Sequence, residues 1–262
     1  MTASSTLRQD LRNAAHWAMG AYKEFDINVT WLNHSASGIL MWYPEDGHLI
    51  ISIAGTDERS DIFHDVNTFP RKMSEWGEKA GICISEDAVD VVSTEGFLDY
   101  AASCYFGVTE RLAADGIDLS EVASITIVGH SLGGAAAYLL QLTKLFESSR
   151  VYVFGCPRTF KRSKTKVPDR VRFSCWRIVD PVPYLPLSCH HPSAQVIIVP
   201  AYSGAVPRTR IAPGSIPIVV IYVAFMWMYG VYVALCNLCG SSANVAAFRA
   251  HRMSEYVRNL EV

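Results

Sequence analysis

The sequence predicts an α/β fold with a mostly parallel central sheet flanked by helices, and three observations carry that prediction. Residues 124–128, Ser-Ile-Thr-Ile-Val, form a short β-branched run of the kind that makes a buried parallel strand. Residues 135–147, Ala-Ala-Ala-Tyr-Leu-Leu-Gln-Leu-Thr-Lys-Leu-Phe-Glu, follow at once and are built from strong helix formers. Two more apolar runs, 49–54 and 151–154, each end in a small-residue turn, Gly55-Thr56-Asp57 and Gly155-Cys156-Pro157. In an open α/β sheet such turns collect at the carboxyl edge of the strands, where ligands bind.

The corner between the first strand and its helix reads Gly129-His130-Ser131-Leu132-Gly133. A strand that turns directly into a helix forces its corner residue into a strained conformation. Glycines two before and two after that residue remove the Cβ atoms that would collide. Ser131 is thereby pushed out at the sheet edge, as the serine of a nucleophile elbow.

At 262 residues and 29.0 kDa, the chain suits one large domain, 1–262, with a full core. The formal net charge of −2 and a pI near 6.4 give no electrostatic case for a nucleic-acid partner. Mean hydropathy is +0.16, and the apolar excess is local: between Arg210 and Arg249 there is no Asp, Glu, Lys, Arg or His. Residues 1–21 show no secretory pattern, because residues 1–10 are polar and Arg12, Asn13 and His16 interrupt residues 11–21. Leu7, Leu11, Ala14, Ala15, Ala18 and Tyr22 instead keep helical spacing, which predicts an amphipathic first helix. Seven cysteines, an odd number without a signal peptide, point to free thiols and an intracellular, reducing compartment. Cys236 and Cys239 lie in an apolar run without a partner pair, so packing or lipidation explains them better than metal or redox chemistry. His34, His48 and His64 are scattered, and no metal-ligand spacing occurs.

In chain order, 31–43 and 48–54 read as two strands joined by the turn Pro44-Glu-Asp-Gly47. The second is apolar enough to be central, and its Gly55-Thr56 end is the natural source of a second oxyanion donor. Residues 58–69 carry Ile62, Phe63, Val66 and Phe69 at helical spacing, and Pro70 closes them. Residues 71–93 read as an irregular excursion. A helix then runs from Gly96 through Leu112, with Ala101, Ala102, Cys104, Tyr105 and Val108 as its buried stripe. Residues 161–172 hold six basic residues and read as a solvated loop, or as a patch for anionic headgroups. Residues 171–179 form another strand, which ends on Asp180.

A serine nucleophile needs a base and a buried carboxylate, and on this kind of sheet they follow the serine in the order acid, then histidine. Downstream of Ser131 the only aspartates are Asp169 and Asp180, and the only histidines are His190, His191 and His251. Asp169 opens the strand that Asp180 closes, so only Asp180 shares the carboxyl edge with Ser131. Among the histidines, His251 suits a loop returning over the site, while His190 and His191 follow Asp180 closely and stay open as alternatives.

Together these motifs resemble the class 3 lipases, from about His48 to Tyr256. Ile53-Ala-Gly-Thr-Asp57 is similar to the family's oxyanion strand end, with Ala54 in place of the usual Arg. Gly96-Phe-Leu-Asp-Tyr100 is similar to its helix start, although Thr94-Glu95 stands where a His-containing pair is common. Gly129-His-Ser-Leu-Gly-Gly134 matches its elbow in full, and Phe154-Gly-Cys-Pro-Arg158 its next strand end. Val179-Asp-Pro-Val-Pro-Tyr-Leu-Pro186 lies close to the pattern around its catalytic Asp, and His251-Arg-Met-Ser-Glu-Tyr256 takes the place of its catalytic His.

The resemblance implies an α/β-hydrolase that cleaves acyl esters of lipids, acylglycerols or phospholipid acyl chains, through an acyl-enzyme on Ser131. Asp180 and His251 would complete the triad, and the backbone amides of Thr56 and Leu132 would hold the oxyanion. Residues 58–69 occupy the place of the family's lid, with Ile62, Phe63 and Val66 on its apolar face. No cofactor is implied. Two other readings share these residues: acyl transfer to an acceptor other than water, and a membrane-associated scaffold that has lost its chemistry.

Within the apolar insertion 211–248, residues 216–238 are long and uncharged enough for a transmembrane helix. A single crossing would strand His251 on the opposite side of the bilayer from Ser131 and Asp180. What remains is a monotopic anchor in one leaflet, favoured by Trp227 and Tyr222, Tyr229 and Tyr232, or a helix buried in the protein or against another copy. The expected partners are therefore a lipid ester and a membrane surface, with a homo-oligomer left open.

Overall fold

The computed structural model describes residues 3–22, 30–33, 36–55, 69–161, 163, 165–177, 180, 182–186, 188–199, 208–209 and 251–260. Its elements in chain order are α1 (Ala3–Gly20), β1 (Thr30–Asn33), β2 (Ala36–Tyr43), β3 (His48–Ile53) and β4 (Pro70–Lys72). There follow α2 (Met73–Ala80), β5 (Val92–Thr94), α3 (Glu95–Ala114), β6 (Ser124–His130), α4 (Leu132–Leu140) and β7 (Arg150–Phe154). The last are β8 (Phe160–Lys161), β9 (Arg172–Arg177), β10 (Cys189–His190), β11 (Gln195–Val199), β12 (Arg208–Thr209) and α5 (Met253–Leu260). The insertion 211–248 and residues 58–68 of the candidate lid lie outside the described residues, while Phe69 is exposed.

Eight strands form the main sheet in the order β1-β2-β3-β6-β7-β9-β11-β12. The inner pairs β3–β6, β6–β7, β7–β9 and β9–β11 are parallel, and the antiparallel pairs lie at the two ends. Successive side chains on a strand point to opposite faces, and here both faces are covered, so β3, β6 and β7 are mostly apolar on both sides. Ile127, Val151 and Val153 face one layer, built on Phe97, Leu98, Ala101, Cys104 and Val108 of α3 and on α4. Val128, Tyr152 and Phe154 face the other, where Leu11, Ala14, Ala15 and Ala18 of α1 meet Met253, Tyr256, Val257 and Leu260 of α5. Burying each large side chain of this kind contributes roughly 1.5–3 kcal/mol. The predicted amphipathic first helix therefore packs with its apolar stripe inward, and its Arg12 Nε donates to Leu260 O at 2.6 Å.

Four details differ from the sequence reading. The run 31–43 is two strands, β1 and β2, paired antiparallel with Asn33 opposite Ala36. His34 and Ser35 include no Gly or Pro to mark that reversal. Residues 71–93 are ordered: α2 buries Met73, Trp76 and Gly77, and β4 and β5 join β8 and β10 in a second, four-stranded antiparallel sheet. An eight-residue helix with a glycine inside is too short to display its period.

The helix after Ser131 stops at Leu140 rather than Glu147. The buried Gln141 side chain turns away to donate to Ser149 O at 2.7 Å. Finally, the basic stretch 161–172 is not wholly solvated. Arg172 is buried and donates to Gln141 Oε1 at 2.6 Å and to Pro168 O at 2.7 Å. Arg170 bonds Gln141 O and, at 2.6 Å, Asp87. Both cations satisfy acceptors around the carboxyl end of α4, where the helix dipole favours positive charge.

Candidate active site

The site grows from the β6–α4 corner. Ser131 has φ 54° and ψ −125°, and among the described residues it alone is a non-glycine with positive φ. Holding that conformation costs about 1–3 kcal/mol, which the packing around the corner must supply. A Cβ on Gly129 would fall 2.2 Å from Gly133 O, and one on Gly133 would fall 2.4 Å from both Ile53 O and Ala54 O. The glycines thus let the elbow close on itself and let α4 start against the end of β3. Ser131 N donates to Phe154 O at 3.0 Å, and Gly134 N and Ala135 N donate to Ser131 O. The Leu132 amide, first in the helix, takes part in none of these bonds.

Asp180 is fully buried beyond the end of β9. Its Oδ1 accepts from Val182 N at 2.9 Å, and its Oδ2 accepts from Tyr256 OH at 2.6 Å and His251 Nδ1 at 2.8 Å. Because the carboxylate only accepts, Nδ1 carries the proton and Nε2 of His251 presents a lone pair. That Nε2 is buried and has no hydrogen-bond partner among the described residues. Burial and the neighbouring Asp180 hold the Tyr256 phenol well above its usual range, so it stays a donor.

Gly155 makes this pairing sterically feasible. Its φ is 55°, and a Cβ there would lie 2.7 Å from Asp180 Oδ2 and 3.0 Å from His251 Nδ1. Phe154, which accepts from the Ser131 amide, is its neighbour in sequence. Ser131, Asp180 and His251 therefore converge around one glycine at the carboxyl edge of the sheet.

The other candidates stand elsewhere. Asp169 is exposed before the start of β9. His191 donates from Nε2 to Pro183 O at 2.7 Å and packs on Trp176 with ring centroids 4.7 Å apart. Burial pushes its pKa down to about 4. His190 lies in β10, opposite Phe160. Thr56, Ile62, Phe63 and Val66 lie outside the described residues. Cys104, Cys156 and Cys175 are buried, and burial raises their thiols far above the usual range, so none is a competing nucleophile.

Residues 50–189 match the model of the class 3 lipase family. The chain belongs to that family. Membership assigns a carboxylic ester hydrolase of lipids, carried on an α/β-hydrolase fold. Among solved structures, this class 3 lipase is similar to the Lip2 lipase from Yarrowia lipolytica, at 18% identity over 76% of this chain and 80% of that chain, with a TM-score of 0.57. It is similar also to a triacylglycerol lipase from Penicillium expansum, at 15% identity over 81% and 86% of the two chains, with a TM-score of 0.59. At these identities the two structures speak for the fold alone. No match was found among curated proteins.

Two residues at the site were not singled out by the sequence reading. Gly155 stood there only as a strand terminus. Tyr256 stood only as the end of a motif, five residues after His251, although a hydroxyl at that spacing is a natural second donor to the carboxylate.

Proposed function

We propose that this lipase hydrolyses acyl esters of acylglycerols or phospholipids through an acyl-enzyme on Ser131. The observation that carries this reading is the buried Asp180–His251 pair, whose Nε2 has no hydrogen-bond partner among the described residues, at the same edge of the sheet as the strained Ser131. In that reading, Ser131 Oγ attacks the ester carbonyl while its proton passes to His251 Nε2. Asp180 steadies the imidazolium, held in turn by Val182 N and Tyr256 OH. The Leu132 amide, at the positive end of α4, and the Thr56 amide stabilise the tetrahedral oxyanion. The alcohol then leaves with the proton from His251, and water, deprotonated by the same nitrogen, releases the fatty acid.

The lipid substrate and the apolar run 216–238 together support association with a membrane surface, with that run as the anchor. The test of the chemistry is labelling by a fluorophosphonate probe alongside hydrolysis of a short-chain p-nitrophenyl ester. Ser131→Ala should abolish both while the protein stays folded, a loss of several orders of magnitude. Full hydrolysis by the Ser131→Ala protein would sink the mechanism.

A further inference from the structure

A second set of polar side chains lies behind the site and does none of the bond-making. Gly55 N donates to Tyr22 OH at 2.6 Å, and Tyr22 OH lies 2.6 Å from His130 Nδ1. His130 Nε2 lies 2.7 Å from the backbone carbonyl of His251. One end of this chain is an amide, which only donates, and the other is a carbonyl, which only accepts. The two outer bonds are thereby set, and with a neutral imidazole between them so is the middle one. Nε2 of His130 carries its proton toward His251 O, Nδ1 is left to accept, and the single hydroxyl proton of Tyr22 goes to Nδ1. Tyr22 oxygen then accepts from Gly55.

The three segments so joined are far apart in sequence. Tyr22 follows α1, Gly55 immediately precedes the predicted oxyanion residue Thr56, and His251 leads into α5. His130 sits between them as the residue before Ser131, buried, with its ring 4.7 Å from that of His251 and tilted by 31°. The Gly55 position also touches the elbow: a Cβ there would be 2.7 Å from Ser131 Cβ and 2.8 Å from Tyr22 OH. Any drift of the β3 end would therefore be transmitted to the nucleophile and to the tyrosine together. The Gly55 amide is already occupied by Tyr22.

We propose that Tyr22 and His130 are positioning residues that clamp the oxyanion strand end to the backbone of the base, through the chain Gly55–Tyr22–His130–His251. The clamp rests on the hydrolase reading above. It requires a neutral imidazole at 130, because a proton on Nδ1 would remove the acceptor for Tyr22. Burial and the adjacent His251 hold the His130 pKa well below its usual value, in agreement with that requirement.

The experiment compares Tyr22→Phe, His130→Gln and the double variant on a soluble short-chain p-nitrophenyl ester. The expected result is a kcat lowered about 10- to 100-fold with KM within about twofold, the scale on which small misplacements of catalytic groups act. The double variant should be no slower than the slower single one, because cutting either link opens the same chain. A Tyr22→Phe kcat within twofold of the parent overturns the clamp, as do losses that multiply in the double variant. Ser131→Ala run in parallel separates the two readings. If it is dead while Tyr22→Phe is fully active, the clamp fails and the hydrolase stands; if it is active, the hydrolase reading fails. Should the variants not fold, imidazole nitrogen NMR on the unmutated protein decides. Protonation of His130 at Nε2 supports the clamp, and protonation at Nδ1 overturns it.

Discussion

The two faces of the central sheet are closed by different means. On the α3–α4 face, the covering helices are near neighbours in the chain, and the elbow that presents Ser131 is part of the same strand–helix unit. On the other face, α1 and α5 come from opposite ends of the chain and meet each other as well as the sheet. Ser131 thus belongs to the locally built face, while His251 and Tyr256 belong to the face that α1 and α5 close together. The lesson is that the hydrogen-bonded pair Asp180–His251 depends on the docking of α5 against α1, whereas the strained serine does not.

The largest expected effect that sharpens this contrast is at Gly155. Gly155→Ala places a methyl group against Asp180 and His251 and should lower kcat/KM by about 100-fold or more, given what small misplacements cost. Gly81 has φ 71° but open space at its Cβ position. Gly81→Ala should therefore cost about 1 kcal/mol of stability, seen as a lower Tm, with kcat/KM unchanged. Retention of more than a tenth of the activity by Gly155→Ala would refute the crowding at that position.

A matched pair of cavities tests the difference between the faces themselves. Leu11→Ala in α1 and Leu112→Ala in α3 each empty a buried leucine site and should each cost about 2–5 kcal/mol. In rising denaturant, the Leu11 variant should lose esterase activity before the sheet unfolds, as followed by circular dichroism, because its face carries the base. The Leu112 variant should lose both signals together. Coincident transitions in both proteins would mean that the two faces open as one.

Within the base face, Tyr256→Phe removes one of the three donors to Asp180. With the other two donors in place, it should lower kcat by about tenfold, in line with about 1.5 kcal/mol for a hydrogen bond to a charged group. An unchanged kcat would mean that the His251 and Val182 bonds alone orient the carboxylate.

The smallest effect at neutral pH lies away from the catalytic pair, at His191. Its pKa is about 4 in the folded protein against 6.5 for the free side chain. Above pH 6.5 neither state binds this proton, and the group contributes nothing. As pH falls from 6.5 toward 4 the unfolded chain takes up the proton and the folded one does not, so stability falls. The loss is at most about 3 kcal/mol, lessened by solvent at the partly exposed ring edge. His130, shifted in the same direction, adds to the fall. Tm followed from pH 7 to pH 4 should drop less steeply for His191→Gln than for the parent; parallel curves would reject the assignment.

Much of the fold was legible in the sequence because inner strands and the elbow are local signals. A β-branched run, two glycines around a serine and an alanine-rich start to a helix lie within about 15 consecutive residues, and their geometry follows from backbone sterics alone. The choice of Asp180 over Asp169 was legible for a related reason, since the two ends of one parallel strand lie on opposite edges of the sheet. Short elements were less legible. Helix α2 and strands β4 and β5 gain their stability from a buried face rather than from a repeating pattern, so their residues look mixed until the core is in place.

By itself, then, the sequence determined which residues could perform ester chemistry and at which edge of the sheet they would stand. Only the tertiary structure decided which histidine meets Asp180, because that bond joins residues 71 apart in the chain and depends on α5 docking beside α1. It alone decided also that Gly155 must lack a Cβ, that Tyr256 shares the carboxylate, and that Tyr22 reaches His130 across 108 residues. Hydrogen bonds over such separations leave no period or spacing in a sequence. They exist only once the hydrophobic faces of distant elements have been buried against each other.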